Sequence, residues 1–296
     1  MFNAPLTFLF DFNYVTDKMR PCIMQEFAAG GAKHLVLSDF FMGKLLADPD
    51  LADTLQQEMS DAGLSFCDAH APFGLVHDLL CPMTAQRPMM IARQKLILEI
   101  CAYLDVRTVT IHIGSTRLAP ASELSPEVHF QRSCEALAEL LPVAEKNNII
   151  ISIENTWYPS STPDMLCRIK QQFPSPALGF CYDAGHANIM DNGRHFPAGR
   201  AWDAWKTCGC DGLPPWENDA LEKMLPHIVV CHLHDNNGQA DAHDLPGKGS
   251  VNWARILPEI NKAPRLKAIQ SEVIPCLNRI RIADLTAKFK ELEKLV

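Results

Sequence analysis

Histidine, aspartate and glutamate recur where apolar runs end. His70 closes one run, His112 lies near the end of the next, Glu154 closes a third, and Asp183 closes a fourth with His186 one turn beyond. His232 sits late in a fifth run, Asp241 and His243 follow it, and Glu272 lies late in a sixth. His70 and His112 are 42 residues apart, as are His112 and Glu154, which is the length of one strand-plus-helix unit. Glu154 ends the stretch Ile-Ser-Ile-Glu, and a carboxylate there is costly to bury unless it is paired or binds a metal. Asp183 and Glu272 repeat the pattern, and three carboxylates around one cavity repel one another and need a cation. Glu154, Asp183, His232 and Glu272 form an oxygen-rich set with one imidazole, suited to Mn²⁺, Mg²⁺ or Co²⁺ as well as to Zn²⁺. His70, His112, His186, Asp241 and His243 add an imidazole-rich periphery with the ligand types for two further zinc ions. The conservative reading is one divalent cation, with room for more. Glu154 and Glu272 arrive from different strands, so they are the candidates to remove and return a proton on opposite sides of a substrate. His70, His112, His186 and His243 are the candidates to contact its hydroxyls.

Such convergence needs a scaffold that brings many strand ends to one face. Strands are predicted at 6–12, 34–38, 64–70, 108–114, 149–155, 177–183, 228–235 and 266–273. Several are nearly continuous apolar runs, as expected where both faces of a parallel sheet are covered. Between them lie helical patterns. Ile97, Ile100, Cys101 and Leu104 share one face, Phe130, Cys134, Leu137 and Leu141 another, and Ile282, Leu285, Phe289 and Leu292 a third. Ser125-Pro126 reads as an N-cap followed by a proline in the first turn. Eight βα units without a Gly/Ser linker predict a single (β/α)₈ barrel over residues 1–296, and in that fold active sites sit at the C-terminal ends of the strands. No G-x-G-x-x-G follows a strand, which disfavours a doubly wound sheet.

Two segments exceed ordinary connections: 40–50 after strand two, and 191–218 after strand six. The second holds Trp202, Trp205 and Trp216 with Cys208 and Cys210. It reads either as a lid over the site or as an excursion packed on the rim or on another subunit. Cys208 and Cys210 are read as surface thiols, since their spacing is not a zinc signature. Gly247-Lys248-Gly249 fits a phosphate cradle or a short turn before a helix over 251–260.

Composition narrows the rest. The chain has 296 residues, 47% hydrophobic and 21% charged, and a net charge of −8, the wrong sign for a nucleic-acid footprint. No uncharged apolar run approaches the ~18 residues of a membrane helix. The first twelve residues read as a strand and not a signal peptide. Eleven cysteines without CxxC pairs point to a reducing, cytoplasmic setting. A homo-oligomer is left open.

The motifs His70-Ala71-Pro72-Phe73, Ile153-Glu154-Asn155, Tyr182-Asp183-Ala184-Gly185-His186-Ala187-Asn188, His232-Leu233-His234-Asp235-Asn236, Asp241-Ala242-His243 and Gly247-Lys248-Gly249 together resemble the xylose-isomerase-like barrel superfamily. That superfamily includes sugar-phosphate isomerases, ketose epimerases and type IV apurinic endonucleases. The resemblance covers essentially the whole chain. It implies Glu154, Asp183, His232 and Glu272 as a shared metal set, with His70, His112, His186, Asp241 and His243 at the additional ligand positions of the trinuclear endonucleases. Two positions depart. Strand two reads Leu35-Val36-Leu37 where many sugar isomerases carry a glutamate, and no arginine stands near 241–243 as in ketose epimerases. The expected function is a metal-dependent isomerase or epimerase of a sugar or sugar phosphate, acting through an enediolate. A zinc-dependent phosphodiesterase of the endonuclease type is the alternative, and a non-enzymatic sugar- or metal-binding barrel has little support.

Overall fold

The computed structural model describes residues 1–114, 125–208 and 213–296. Eight parallel strands close a barrel in chain order: β1 (Leu6–Phe8), β2 (His34–Leu37), β3 (Ser65–His70), β4 (Thr108–Ile111), β5 (Ile150–Glu154), β6 (Leu178–Asp183), β7 (Ile228–Leu233) and β8 (Ala268–Ser271), with β1 pairing back onto β8. Around them run α1 (Arg20–Ala29), α2 (Asp39–Ala47), α3 (Leu51–Asp61), α4 (Arg87–Tyr103), α5 (Pro126–Lys146), α6 (Pro163–Gln172), α7 (Ala184–Asn192), α8 (Arg200–Thr207), α9 (Ala220–Met224), α10 (Trp253–Ile260) and α11 (Ile282–Leu292). All eight expected strands are present. Several are shorter than their apolar runs: β1 stops at Phe8 and Phe12 enters a 3₁₀ turn. His112 and Glu272 stand one residue past β4 and β8.

Helix starts follow local chemistry. The Ser125 hydroxyl accepts from the Val128 amide and Pro126 opens α5; Thr162 and Pro163 do the same for α6, with the Met165 amide as donor. These contacts satisfy amide groups that a helix N-terminus otherwise leaves unpaired. The 40–50 segment is not a loop. Ser38 caps α2 through the Phe41 amide, Phe41, Met42 and Leu45 are buried, and three residues link α2 to α3. On α5, Leu137 and Leu141 are buried as expected, whereas Phe130 is half-buried under the Arg168 guanidinium at 3.7 Å.

Residues two apart on a strand share a face, so Asp68 lies below His70, Thr110 below His112, Ser152 below Glu154 and Gln270 below Glu272. All four lower residues are fully buried, as is Thr7 on β1. Thr110 and Ser152 face each other in register, with hydroxyls 2.9 Å apart. The layer beneath the mouth is therefore polar, where bulky branched side chains ordinarily fill a barrel.

The Trp-rich segment is helical for much of its length. It completes α7, turns through Gly193–His195, and forms α8. Trp157, Ile189, Met190, Ala201 and Ala204 make a small apolar cluster of their own, with Trp205 and Trp216 packed against it. The indole of Trp205 donates to the Trp157 carbonyl (3.0 Å), and Trp202 donates to Gly193 (3.2 Å). Cys208 is buried at the end of α8 and is not a surface thiol; Cys210 lies outside the described residues. Among the described residues no helix is long and apolar enough to cross a membrane.

Candidate metal centre and active site

The C-terminal ends of six strands bring all nine expected side chains together. Glu154, Asp183, His232 and Glu272 are each buried, and their donor atoms lie within 4.8 Å of one another. His232 Nδ1 stands at the middle, 2.7 Å from Glu154 Oε1, 3.2 Å from Glu272 Oε1 and 3.8 Å from Asp183 Oδ2. A second group joins His70 and His112 to Glu154, with His112 Nε2 at 2.7 Å and His70 Nε2 at 3.9 Å from Oε2. A third group contains His186, Asp241 and His243 together with His234, which the sequence reading left out. The His234 and His243 rings stack at 4.0 Å, His234 Nε2 lies 3.1 Å from Asp183 Oδ1, and His243 Nε2 lies 3.1 Å from Asp241 Oδ2.

Backbone carbonyls orient three of these imidazoles. His70 Nδ1 donates to Ala71 (2.8 Å), His186 Nδ1 to Asn155 (2.9 Å) and His243 Nδ1 to Glu272 (2.7 Å). A carbonyl oxygen only accepts, so Nδ1 carries a proton and Nε2 is turned towards the neighbouring carboxylates, the arrangement that orients a metal-ligating histidine. His243 holds φ at +48°, a left-handed conformation costly for a side-chain-bearing residue. Its carbonyl is clamped by Asn278 Nδ2 (2.7 Å) and the Ile274 amide (3.3 Å).

The remaining motif residues hold strand ends. Asn155 accepts from the Asp183 amide (2.8 Å) and donates to the Asp183 carbonyl (3.0 Å), while Asp183 Oδ1 accepts from the His186 amide (2.6 Å) and caps α7. Asp235 is not a ligand: its carboxylate accepts from the amides of Asn236, Gly247 and Val251 and from the Trp253 indole. Since the Gly247 amide is given to Asp235 and the Lys248 amide to the Leu245 carbonyl, the Gly-Lys-Gly segment is a turn and not a phosphate cradle. Gly185 is required at its position, because a Cβ there would overlap the His234 ring.

Charge is finely balanced. Burial pushes the Glu154 carboxyl up, but His232 and His112 outweigh it and hold it well below the usual carboxylate range. Burial likewise opposes ionisation of Asp241, and His243 and His186 reverse that. Burial disfavours the charged His243 ring, yet Asp241 lifts it to about 9. Glu272 Oε2, Asp241 Oδ1 and His234 Nδ1 are buried without a hydrogen-bond partner. The converging carboxylates, the imidazole among them and the buried, unpartnered Glu272 Oε2 together fit a divalent cation at the Glu154–Asp183–His232–Glu272 group.

A cavity of about 250 Å³ opens above the centre, lined by His112, Glu154, Trp157, His186, Asp241 and Asp78 among others. Burial pushes the Asp78 carboxyl up to about 6, while Oδ1 accepts from the Gly74 amide at 2.9 Å. The Trp157 ring stands edge-on to His186 at 4.8 Å. Sequence reasoning missed Trp157 and Asp78, which follow strands without any polar periodicity. His234 had a legible signal, since it lies two residues from His232 in an extended run.

The family model described as a xylose isomerase-like TIM barrel matches residues 37–266. An uncharacterized protein of Methanocaldococcus jannaschii is 26% identical over 163 residues, 54% of this chain and 48% of that protein, so the match spans about half of that relative's length. Among solved structures, a D-tagatose 3-epimerase-like protein superposes with a TM-score of 0.72 at 18% identity, covering 98% of this chain and 96% of that one. The IolI protein, solved with a zinc atom, gives 0.70 at 16% identity, covering 99% and 98%. At these identities the likeness to solved structures is one of fold.

Proposed function

The chain belongs to the xylose isomerase-like TIM barrel family, and from that premise we propose that it is a divalent-metal-dependent isomerase or epimerase of a sugar. One observation carries the reading: Glu154 ends β5 and Glu272 follows β8, and both carboxylates reach the same His232 nitrogen, at 2.7 and 3.2 Å. Two buried bases approaching one point from different strands are what a proton relocation at carbon needs, and a simple binding protein has no use for them. Glu154, Asp183, His232 and Glu272 would hold a divalent cation, whether Mn²⁺, Zn²⁺, Co²⁺ or Mg²⁺, which would supply positive charge where negative charge develops on the sugar oxygens. One glutamate removes the proton from the carbon next to the carbonyl. The other returns a proton to the opposite face, or to the adjacent carbon, and the direction of reaction sets which does which. His70, His112, His186 and His243 orient substrate hydroxyls, and Trp157, braced by the Trp205 indole on its carbonyl, excludes water from the reacting carbon.

The test is solvent-deuterium incorporation at carbon, followed by NMR with a ketose panel and added Mn²⁺. Metal-dependent exchange at the carbon beside the carbonyl supports the reading; its absence across the panel removes it. The convergence of His186, His234, Asp241 and His243 keeps a second reading open, a zinc phosphodiesterase whose clustered cations activate water. Cleavage of abasic-site DNA, with about three zinc ions per chain, would establish that reading instead.

A further inference from the structure

The space at the barrel mouth is larger on the side away from Trp157. A second lobe of about 310 Å³ lies over the ends of β1, β2 and β8. It shares His70, Phe73, His243 and Glu272 with the first lobe of about 250 Å³, so the two meet at the candidate centre. At roughly 30 Å³ per water, each lobe has room for on the order of ten waters.

The walls of the second lobe differ in chemistry. Phe10, Tyr14, Phe40, Phe73, Ile274 and Leu277 line it with apolar groups. Tyr14, Phe73 and Leu277 are 59%, 53% and 60% exposed, among the most exposed large apolar residues described. Exposed apolar groups gathered around a cavity mouth mark a surface that a ligand covers. The wall is built: Asp11 accepts from the amides of Cys276 (3.2 Å) and Leu277 (3.3 Å), tying the segment after β8 to the one after β1. Asp11 and Asp39 are the charged groups of this lobe apart from the shared centre, and two carboxylates oppose an anionic substituent.

We infer that the substrate is a sugar bearing a second, uncharged ring with an apolar face, the reacting sugar above the centre and the second ring in the β1–β2–β8 lobe. This rests on the isomerase reading and narrows it, because a sugar phosphate fits the carboxylate-bearing lobe poorly. The aromatic walls stack on the face of the second ring, aryl or sugar alike.

The experiment is calorimetric binding to the Mn²⁺-loaded chain, comparing methyl with phenyl β-glycosides of glucose, galactose and mannose, beside cellobiose, lactose and glucose 6-phosphate. Ring stacking of this kind is worth up to about tenfold in affinity, so within at least one pair the phenyl glycoside should bind several-fold to tenfold tighter. Leu277→Asp and Phe40→Ala should close that gap. A comparable advantage for a disaccharide assigns the second ring to a sugar, and its absence assigns it to an aryl group. No preference for the phenyl member in any pair, or tightest binding by glucose 6-phosphate, overturns the inference. The glycosides carry no carbonyl and report binding alone, so deuterium exchange on the ketose panel reads the isomerase proposal separately: ring preference with no exchange on the panel sinks that proposal, and exchange without ring preference sinks only the second ring.

Discussion

Replacing Glu154 by glutamine keeps the shape of the side chain and removes its charge at the point where two donor groups overlap. Glu154 lies 2.7 Å from both His232 Nδ1 and His112 Nε2, and both contacts are lost as ion pairs. Glu272 still faces His232 Nδ1 at 3.2 Å, which limits the cost to the cation-free fold to about 1–3 kcal/mol, the range for a charged hydrogen bond. For a chain of this size that is a fall of roughly 2–4 °C in Tm per kcal/mol. Cation affinity should fall much further, by about 100-fold or more, since outer-shell partners alone are worth ~10–100-fold. Turnover should drop by about 10²–10⁴-fold even at saturating metal, because the amide cannot accept the proton. The assays are thermal unfolding without metal, a chelator-competition Kd, and deuterium exchange with metal in excess. Exchange within tenfold of the parent chain, with the cation bound, would refute the assignment of Glu154 as a proton carrier.

Glu272→Gln should behave in the same way, with the loss read as a fall in exchange at saturating Mn²⁺. Zinc-edge anomalous scattering of zinc-grown crystals should find one peak at the Glu154–Asp183–His232–Glu272 group, matched by about one zinc per chain on elemental analysis; a further peak bonded to His186, Asp241 and His243 moves the reading to phosphodiester chemistry. Burial raises the Glu217 carboxyl to about 7, so its contribution to stability is full below about 4.5 and is lost as pH rises through 7; Glu217→Gln should raise Tm at pH 8, by up to about 3 kcal/mol of stability, and give no gain at pH 4.5. Saturating substrate should slow protease nicking within 191–218, and unchanged nicking counts against a lid.

The barrel was legible because strands buried on both faces read as apolar runs, and Ile150 to Ile153 or Ile228 to Cys231 admit little else. The convergence of the carboxylates was legible for the opposite reason: Glu154, Asp183 and Glu272 are residues that such runs do not tolerate unless they are paired or bind a cation. Helix α2 was hidden because Phe40 and Phe41 look like a continuing strand and Gly43 like a break; its start is fixed by one Ser38 hydroxyl, and its inward face shows only once β3 is in place. His234 was signalled only by its spacing, two residues beyond His232, where strand alternation returns a side chain to the same face. Trp157 and Asp78 owe their positions to loops, whose paths depend on contacts remote in the chain, such as the Trp205 indole on the Trp157 carbonyl.

The three imidazoles anchored on main-chain carbonyls divide the labour between what sequence drift can reach and what it cannot. No side-chain replacement at Ala71 or Asn155 removes the oxygen that His70 or His186 holds, so the orientation of these rings is inherited from the strands themselves. The walls of the second lobe are made of side chains, and every one of them is open to replacement. On the proposed isomerase reading, a chain built this way changes the partner it recognises through the segments after β1, β2 and β8 while the anchored rings stay in place, and directed evolution on that reading has its natural starting positions at Tyr14, Phe40 and Leu277.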